Sequence, residues 1–148
     1  MEIKAILKKP YTEKQRLDFY VENNHNKGYE IKETDEQLQA WGYTAEEITE
    51  QEAQAEQKRK SKLKMTKRDF FLYVVSPFGI TYAQLIQALS ANDTIKACYD
   101  GCNHIYRYDE MLVGNIKPIL ETLTEQEIDE KELTQMLDDA FETHNAKD

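Results

Sequence analysis

Two cysteines and a histidine lie close together in the segment ACYDGCNH, residues 97–104, and their types and spacing could support chemistry. Thiolates and imidazole bind zinc, and neighbouring thiols can form a redox pair. Zinc usually needs four ligands, and the sequence places only Cys98, Cys102 and His104 near one another. His25 or His144 could complete a site, but no spacing favours either. Redox pairs usually have two intervening residues, whereas this pair has three.

Packing in the protein core is a third use for these cysteines. The helix predicted for this segment places Ile95, Cys98, Cys102 and Ile105 or Tyr106 on one apolar stripe. A free cysteine on such a stripe behaves as a small hydrophobic residue. We therefore interpret the two cysteines as core residues, with a metal site and a redox pair as the alternatives.

No other pattern in the sequence indicates catalysis. The paired acids of glycosidic chemistry, the glycine-rich phosphate loop and the nucleophile elbow are all missing. A cysteine nucleophile would need a histidine and an orienting acid that the fold brings together. The chain has only five glycines, most of them at predicted element ends, which leaves little loop for an active site. We predict a protein that is not an enzyme and has no cofactor.

The composition predicts a folded chain in a reducing compartment. Hydrophobic residues make up 40% of its 148 residues, and nine Tyr, five Phe and one Trp provide material for a core. The sequence has no leader pattern and no apolar run near the ~20 residues that a membrane span needs. Two cysteines are too few for a secreted disulfide framework. We expect a cytoplasmic protein that has no membrane partner.

Charge is unevenly distributed along the chain, whose formal net charge is -9. Residues 46–56 carry five acids and no base, residues 58–68 carry seven bases and no acid, and residues 121–148 carry ten acids. So acidic a protein should repel the phosphate backbone, which disfavours direct binding to nucleic acid. The basic run fits a solvated helix end, a partner for the acidic C-terminal helix of the same or a neighbouring chain, or a local nucleic-acid contact.

Residues 1–43 predict a small β-α-β unit. The segment MEIKAILKK alternates like a half-buried strand, Thr12 opens a capping box, and the helix that follows has Leu17, Tyr20 and Val21 on its inner face. The segment YEIKE then reads as a second strand, and we expect the two strands to be parallel neighbours. A short helix over DEQLQAWG should cover this sheet.

The rest of the chain is predicted to be helical. Residues 44–65 form a long charged linker helix that starts at the capping box of Thr44 and Glu47. Residues 66–148 form a C-terminal bundle of about five helices. Four of their predicted starts are Thr66, Thr81, Asp93 and Thr124. In the remaining segment, MLVGNIKPILETL, Pro118 would break a straight helix, so we expect a kink or a restart at Asn115. The predicted fold class is α+β, predominantly α.

The order of several short motifs resembles a group of small acidic accessory proteins encoded in tail-gene modules of phages and prophages of Gram-positive bacteria. The resemblance covers nearly the whole chain and includes YT-x-x-QR-x-DF, NH-x-x-GYEI-x-ET, MTKRDFFLYV, GIT-x-x-Q and YR-x-D. These motifs lie at Tyr11–Phe19, Asn24–Thr34, Met65–Val74, Gly79–Gln84 and Tyr106–Asp109. After the YR pair, where members often have a GNPL-like turn, this chain has YDEML. The resemblance implies an intracellular phage setting and no catalytic residues.

These observations predict a non-enzymatic structural or assembly accessory protein that acts through protein–protein contacts. Its partner would be another phage component, in the host cytoplasm or in the virion, and homo-oligomers are compatible with the sequence. Aromatic residues often anchor such contacts, which makes Tyr20, Trp41 and Tyr43 candidates. The alternative is an inhibitor that mimics nucleic acid and binds a basic host protein. Its candidate contacts are the acids Glu125, Asp129 and Glu132.

Overall fold

The computed structural model describes residues 1–147 and shows an α+β protein in which helices predominate. This part of the chain contains seven α-helices and two small antiparallel sheets. It divides into two compact units, Met1–Ala55 and one that starts at Glu56. The predicted fold class is therefore confirmed as a helix-rich α+β fold.

A three-stranded antiparallel sheet organises the N-terminal unit. Its strands are β1 (Glu2–Lys8), β2 (Glu30–Glu33) and β3 (Gln37–Gly42). The central strand is β3, which pairs antiparallel with β1 on one side and with β2 on the other. Because both pair antiparallel with β3, β1 and β2 run in the same direction as predicted, but the prediction that they are neighbours is wrong, since β3 lies between them.

The segment predicted as a short covering helix is this central strand. Leu38 and Ala40 are fully buried, and they alternate with the half-buried Gln37, Gln39 and Trp41. That period of two is the period of a strand. The prediction failed because Leu38 and Trp41, three residues apart, also fit one face of a helix, while the small Ala40 adds little hydrophobic signal.

Helix α1 (Glu13–Tyr20) begins at the predicted capping box. The Gln15 N–H donates to Thr12 Oγ1 over 3.1 Å, and the Thr12 N–H donates to Gln15 Oε1 over 2.8 Å. The two bonds satisfy backbone donors that a helix start otherwise leaves free. The helix continues as a π-helical turn, Val21–Asn26.

The inner face predicted for α1 is wrong at two positions. Leu17 and Val21 are 53% and 51% exposed, and the buried residue on this segment is Asn23. A buried amide is tolerated when its hydrogen bonds are made. Asn23 Nδ2 donates to the Phe19 carbonyl over 3.0 Å. The buried side chain of this segment is therefore polar, whereas the pattern predicted apolar ones.

Helix α2 (Ala45–Ser61) is the charged helix that the sequence predicts, and it contains the boundary between the two units. Its capping box forms as expected, because the Glu47 N–H donates to Thr44 Oγ1 and the Thr44 N–H donates to Glu47 Oε1, each over 3.1 Å. None of its side chains is buried. The helix therefore depends on its caps, its charges and its good helix formers more than on packing.

Five helical segments and a two-stranded sheet make up the second unit. The helices are α3 (Lys67–Phe70), α4 (Tyr82–Ser90), α5 (Asp93–Gly101), α6 (Ile116–Thr124) and α7 (Glu130–Thr143). A π-helical turn (Phe71–Val75) and a 3-10 turn (Ser76–Phe78) extend α3. Strands β4 (Lys64–Thr66) and β5 (His104–Tyr106) pair antiparallel.

Two element boundaries in this unit differ from the predictions. Helix α5 ends at Gly101, so Cys102 has an extended backbone and Ile105 is buried from strand β5 instead of from a helical stripe. Helix α7 begins after Asp129, whose carboxylate accepts from the Glu132 N–H over 2.9 Å, instead of at Thr124. Thr124 is instead the last residue of α6, and its Oγ1 donates to the Leu120 carbonyl over 2.7 Å.

The hydrophobic core of the second unit draws on every helix of that unit. Its largest fully buried side chains are Phe141, Met65, Leu85, Ile105, Ile116, Leu120, Val74 and Val75.

In residues 1–147 no single helix is long and apolar enough to cross a membrane. One pair of helical segments, Lys67–Phe78 and Tyr82–Ser90, is long and apolar enough only when the two are added together, and a bend of 100° separates them.

Candidate binding surfaces

Cys98, Cys102 and His104 are not grouped together in the arrangement that holds a metal ion. No group of three or more His, Cys, Asp or Glu side chains in residues 1–147 is placed to hold a metal ion. Cys102 is half-buried against the core of the second unit, and its thiol donates to the Tyr99 carbonyl over 3.3 Å. His104 pairs with Thr66 across the β4–β5 sheet. The contacts of Cys102 agree with the core-packing interpretation.

Burial also changes the chemistry of Cys102. Loss of water around the thiol raises the pKa of Cys102, and the neighbouring Lys67 ammonium opposes this rise. Since the thiolate is the reactive form, we expect iodoacetamide to alkylate Cys102 several-fold more slowly in the folded protein than in denaturant at the same pH. Mass spectrometry of timed samples would give both rates. Equal rates would contradict this prediction.

Trp41 lies on the open face of the N-terminal sheet. The pairing register places Ile3 opposite Trp41, and Ile6 opposite Gln39. Ile3 and Ile6 are 40% and 47% exposed. Trp41 is half-buried, with its Nε1 donating to Gln39 Oε1 over 3.0 Å and the Lys32 ammonium 4.8 Å from its ring centroid. We call Ile3, Ile6, Gln39 and Trp41 the open sheet face.

The other two aromatic candidates occupy different places. Tyr43 is 46% exposed just after β3, and it lines a cavity of about 230 Å³ together with Trp41, Tyr29 and Ile48. Tyr20 is half-buried on α1, where the Arg16 guanidinium lies 5.0 Å from its ring. The fold thus brings Trp41 and Tyr43 to one cavity, and Tyr20 does not line it.

The three acidic candidates surround the turn between α6 and α7. Glu125 follows α6 in a left-handed backbone conformation, with φ of 56°. Asp129 caps α7, and Glu132 lies in the first turn of that helix. All three are exposed. Because the Asp129 carboxylate already accepts a backbone hydrogen bond, it has a structural role whether or not a partner binds.

Part of the basic run pairs with the acidic C-terminal helix of the same chain. Arg59 forms ion pairs with Glu56 and with Glu142 of α7, and its guanidinium lowers the pKa of both carboxyl groups. Lys60 Nζ lies 3.5 Å from Asp138 Oδ2. These ion pairs match the interpretation in which the basic run pairs with the acidic C-terminal helix of the same chain. The exposed Arg59 pairs neutralise charge but contribute little to stability, whereas the Lys60 and Asp138 side chains are half-buried.

A cavity of about 280 Å³ lies wholly within the second unit. Its walls come from residues 107–114, the start of α6 and one face of α7. The apolar lining consists of Val113, Ile116, Leu133 and Leu137. The charged lining consists of Arg107, Lys117, Asp109, Glu110 and Glu130.

Arg107 is the least expected residue of this cavity, because it is only 6% exposed. Its Nε donates to Asp138 Oδ1 over 2.8 Å, and its guanidinium carbon lies 5.0 Å from the Tyr108 ring centroid. Among residues 1–147, no group accepts from its two Nη atoms, and neither atom is sealed from solvent. A buried cation held by Asp138 thus lines the cavity and keeps two donor atoms without an acceptor in residues 1–147.

Sequence reasoning missed the Arg107 site. In the sequence, YR-x-D stands out only as one motif of the family resemblance, and the Asp138 partner lies 31 residues further along the chain. The available signal was an arginine between two tyrosines directly after the buried Ile105, where a charge needs a partner. That signal indicates a buried ion pair but does not identify the acid.

Comparison with known proteins adds no assignment to these surfaces. No protein-family model, no curated protein and no solved structure matches the chain. The candidate functions therefore depend on the geometry described above and on the resemblance in the order of short motifs.

Proposed function

We propose that the chain is a non-enzymatic structural or assembly accessory protein of a phage or prophage tail module, and that it acts through protein–protein contacts. The open sheet face is its docking surface in this proposal. The partner is another protein of the same module. The proposal includes no catalytic step, no cofactor and no membrane.

The open sheet face carries this proposal because two large apolar side chains, Ile3 and Ile6, are exposed on it. A sheet normally buries its apolar face against another layer. In the N-terminal unit the fully buried apolar side chains are Leu38 and Ala40, on the opposite face of β3, whereas Ile3 and Ile6 remain exposed beside Trp41. A three-stranded sheet with so small a core gains stability when a second layer covers its open face.

The polar groups around this face favour a protein partner. The Trp41 ring has the Lys32 ammonium above it and a hydrogen bond from its indole N–H to Gln39, so its apolar body is held in one orientation. A rigid tryptophan with polar neighbours is a common anchor in protein interfaces. A second copy of the chain is also compatible with this surface, and direct nucleic-acid binding is not part of the proposal because of the net charge of -9.

The setting in this proposal is the host cytoplasm during phage assembly, with incorporation into the virion as one outcome. The test is quantitative mass spectrometry of virions and of purified assembly intermediates from an induced host. We expect the wild-type chain at a fixed copy number in at least one of these fractions. The variants Trp41→Ala and Ile6→Glu should lower that copy number about tenfold or more, because each removes an apolar contact at the face.

The matched control is Leu17→Glu, which places the same new charge on an exposed apolar position outside the sheet. It should leave the copy number unchanged. Circular dichroism would show that every variant is folded. Wild-type copy numbers for both folded sheet variants, or absence of the chain from every assembly fraction despite expression, would contradict the proposal.

The alternative proposal is an acidic inhibitor that mimics nucleic acid and binds a basic host protein. Glu125 and Glu132 are exposed and available for such a contact. However, Asp129 caps α7, Glu142 pairs with Arg59, and Asp138 pairs with Arg107 and Lys60. These bonds reduce the number of unpaired acids that could imitate a phosphate lattice. We therefore place this proposal second.

A further inference from the structure

We propose that the cavity of the second unit binds a singly charged carboxylate carried on an apolar body. This site is built from residues of the second unit alone. The inference therefore goes beyond docking at the open sheet face and does not depend on it.

Arg107 supplies the recognition group. A guanidinium offers five N–H donors in a fixed plane, and two parallel N–H bonds to one carboxylate form the strongest common ion-pair geometry. Nε is occupied by Asp138, which fixes the plane of the group, and the Tyr108 ring lies against it. In residues 1–147 no group accepts from the two Nη atoms, neither is sealed from solvent, and Arg107 lines the cavity. The receptor half of a bidentate pair is therefore already oriented.

The apolar walls determine what should be attached to the carboxylate. Val113, Ile116, Leu133 and Leu137 line the cavity, and its volume of about 280 Å³ can hold a branched aliphatic side chain and its carboxylate. A ligand that buries an aliphatic group there gains from removal of apolar surface from water. The site thus combines one oriented cation with an apolar chamber.

The other charged residues of the cavity limit the charge of the ligand. Lys117 is half-buried and adds a second cation. Glu110 and Glu130 are exposed, and Asp109 uses Oδ1 to accept from the Met111 and Leu112 N–H groups over 2.9 and 2.8 Å. These acids repel a multiply charged anion more strongly than a single carboxylate. Phosphate should therefore bind less well.

Two sources can supply this chemistry, namely the C-terminal end of a polypeptide and a small free carboxylic acid. N-acetyl-leucine carries the carboxylate and the aliphatic group that both share. A five-residue peptide that ends in leucine tests the first source, because only a peptide end gains further contacts outside the cavity. An affinity at least tenfold above that of N-acetyl-leucine would identify a peptide end, and equal affinity would identify a small acid.

The experiment is a titration of the complete, isotopically labelled chain, followed by nuclear magnetic resonance at constant ionic strength. N-acetyl-leucine should cause saturable shifts at residues that line the cavity, including the Gly114 and Thr134 amides, with a dissociation constant on the order of a few millimolar. The control probe is N-acetyl-leucinamide, which has the same shape without the charge. We expect it to bind about tenfold more weakly or less.

Variants give a second, independent measurement. Lys117→Gln should weaken N-acetyl-leucine binding several-fold, and Arg107→Lys should weaken it about tenfold if that variant folds, because lysine cannot form the planar pair. The acid and amide comparison on the wild-type chain decides the question even if Arg107→Lys unfolds. Equal binding of acid and amide, tighter binding of inorganic phosphate, shifts spread over the whole surface or no saturation would overturn the proposal.

Discussion

Replacing Gly114 with alanine is expected to lower the free energy of unfolding of the second unit by about 3 kcal/mol. A β-carbon at this position would clash with the Glu110 carbonyl oxygen and would lie 3.1 Å from the Glu110 Cα. Both contacts are with backbone, so no side-chain rotation can relieve them. The loop would have to open, and it forms one wall of the cavity that contains Arg107.

The loop around Gly114 cannot open without losing several hydrogen bonds. The Gly114 N–H donates to the Asp109 carbonyl over 2.9 Å, and Asn115 Nδ2 donates to the Met111 carbonyl over 2.7 Å. Asp109 itself accepts from the Met111 and Leu112 N–H groups. A substitution that breaks this set leaves partly buried backbone groups without partners, which adds to the cost of the clash.

Gly101→Ala is the matched control for this prediction. Gly101 ends α5, and a β-carbon built there meets nothing within 4 Å. Alanine reduces the entropy of the unfolded chain, so this variant should gain roughly 0.5–1 kcal/mol. Denaturant unfolding followed by circular dichroism would measure both changes. A Gly114→Ala variant as stable as the wild type would show that the loop relaxes without cost.

The sequence predicted those elements that have strong local signals. The capping boxes at Thr12 and Thr44 lie where the patterns placed them, and of the two alternatives predicted at Asn115, a kink or a restart, the helix restarts. In α6, proline falls in the first turn, where its missing N–H breaks no helical bond. Local hydrogen bonds between residues three apart determine these features, so a single sequence is enough to locate them.

The features that the sequence did not predict depend on distant partners. Strand β3 is central because β1 and β2 pair with it from both sides, and its own residues fit a helix almost as well. Strands β4 and β5 are only three residues each and lie 37 residues apart in the chain. Arg107 finds its acid on α7. In each case the partner that decides the outcome lies beyond the range of a local pattern.

Replacing one partner of the Arg107–Asp138 ion pair is expected to lower the free energy of unfolding, whereas replacing both partners is expected to leave it nearly unchanged. The Arg107 side chain is 8% exposed and that of Asp138 is 20% exposed, so each charge depends on the other. Removing one partner of a buried pair typically costs about 3–5 kcal/mol, whereas replacing both with apolar residues is often neutral. Because Asp138 is partly exposed, we expect each single replacement to cost about 3 kcal/mol or less.

The two single variants should differ in cost. Arg107→Met leaves Asp138 with Lys60 Nζ at 3.5 Å, which still offsets part of its charge, so we expect a loss of about 2 kcal/mol. Asp138→Leu leaves Arg107 without a carboxylate at ion-pair distance in residues 1–147, and about 3 kcal/mol should be lost. The double variant Arg107→Met with Asp138→Leu should lie within about 1 kcal/mol of the wild type.

Chemical unfolding of the wild type, both single variants and the double variant completes a double-mutant cycle that isolates the coupling between the two side chains. The exposed pair of Lys96 and Asp100 serves as a control, because Asp100→Asn should cost less than about 0.5 kcal/mol. A double variant whose loss equals the sum of the single losses would mean that the two charges act independently. A double variant that loses much less than this sum would instead show that each buried charge is stabilised by the other.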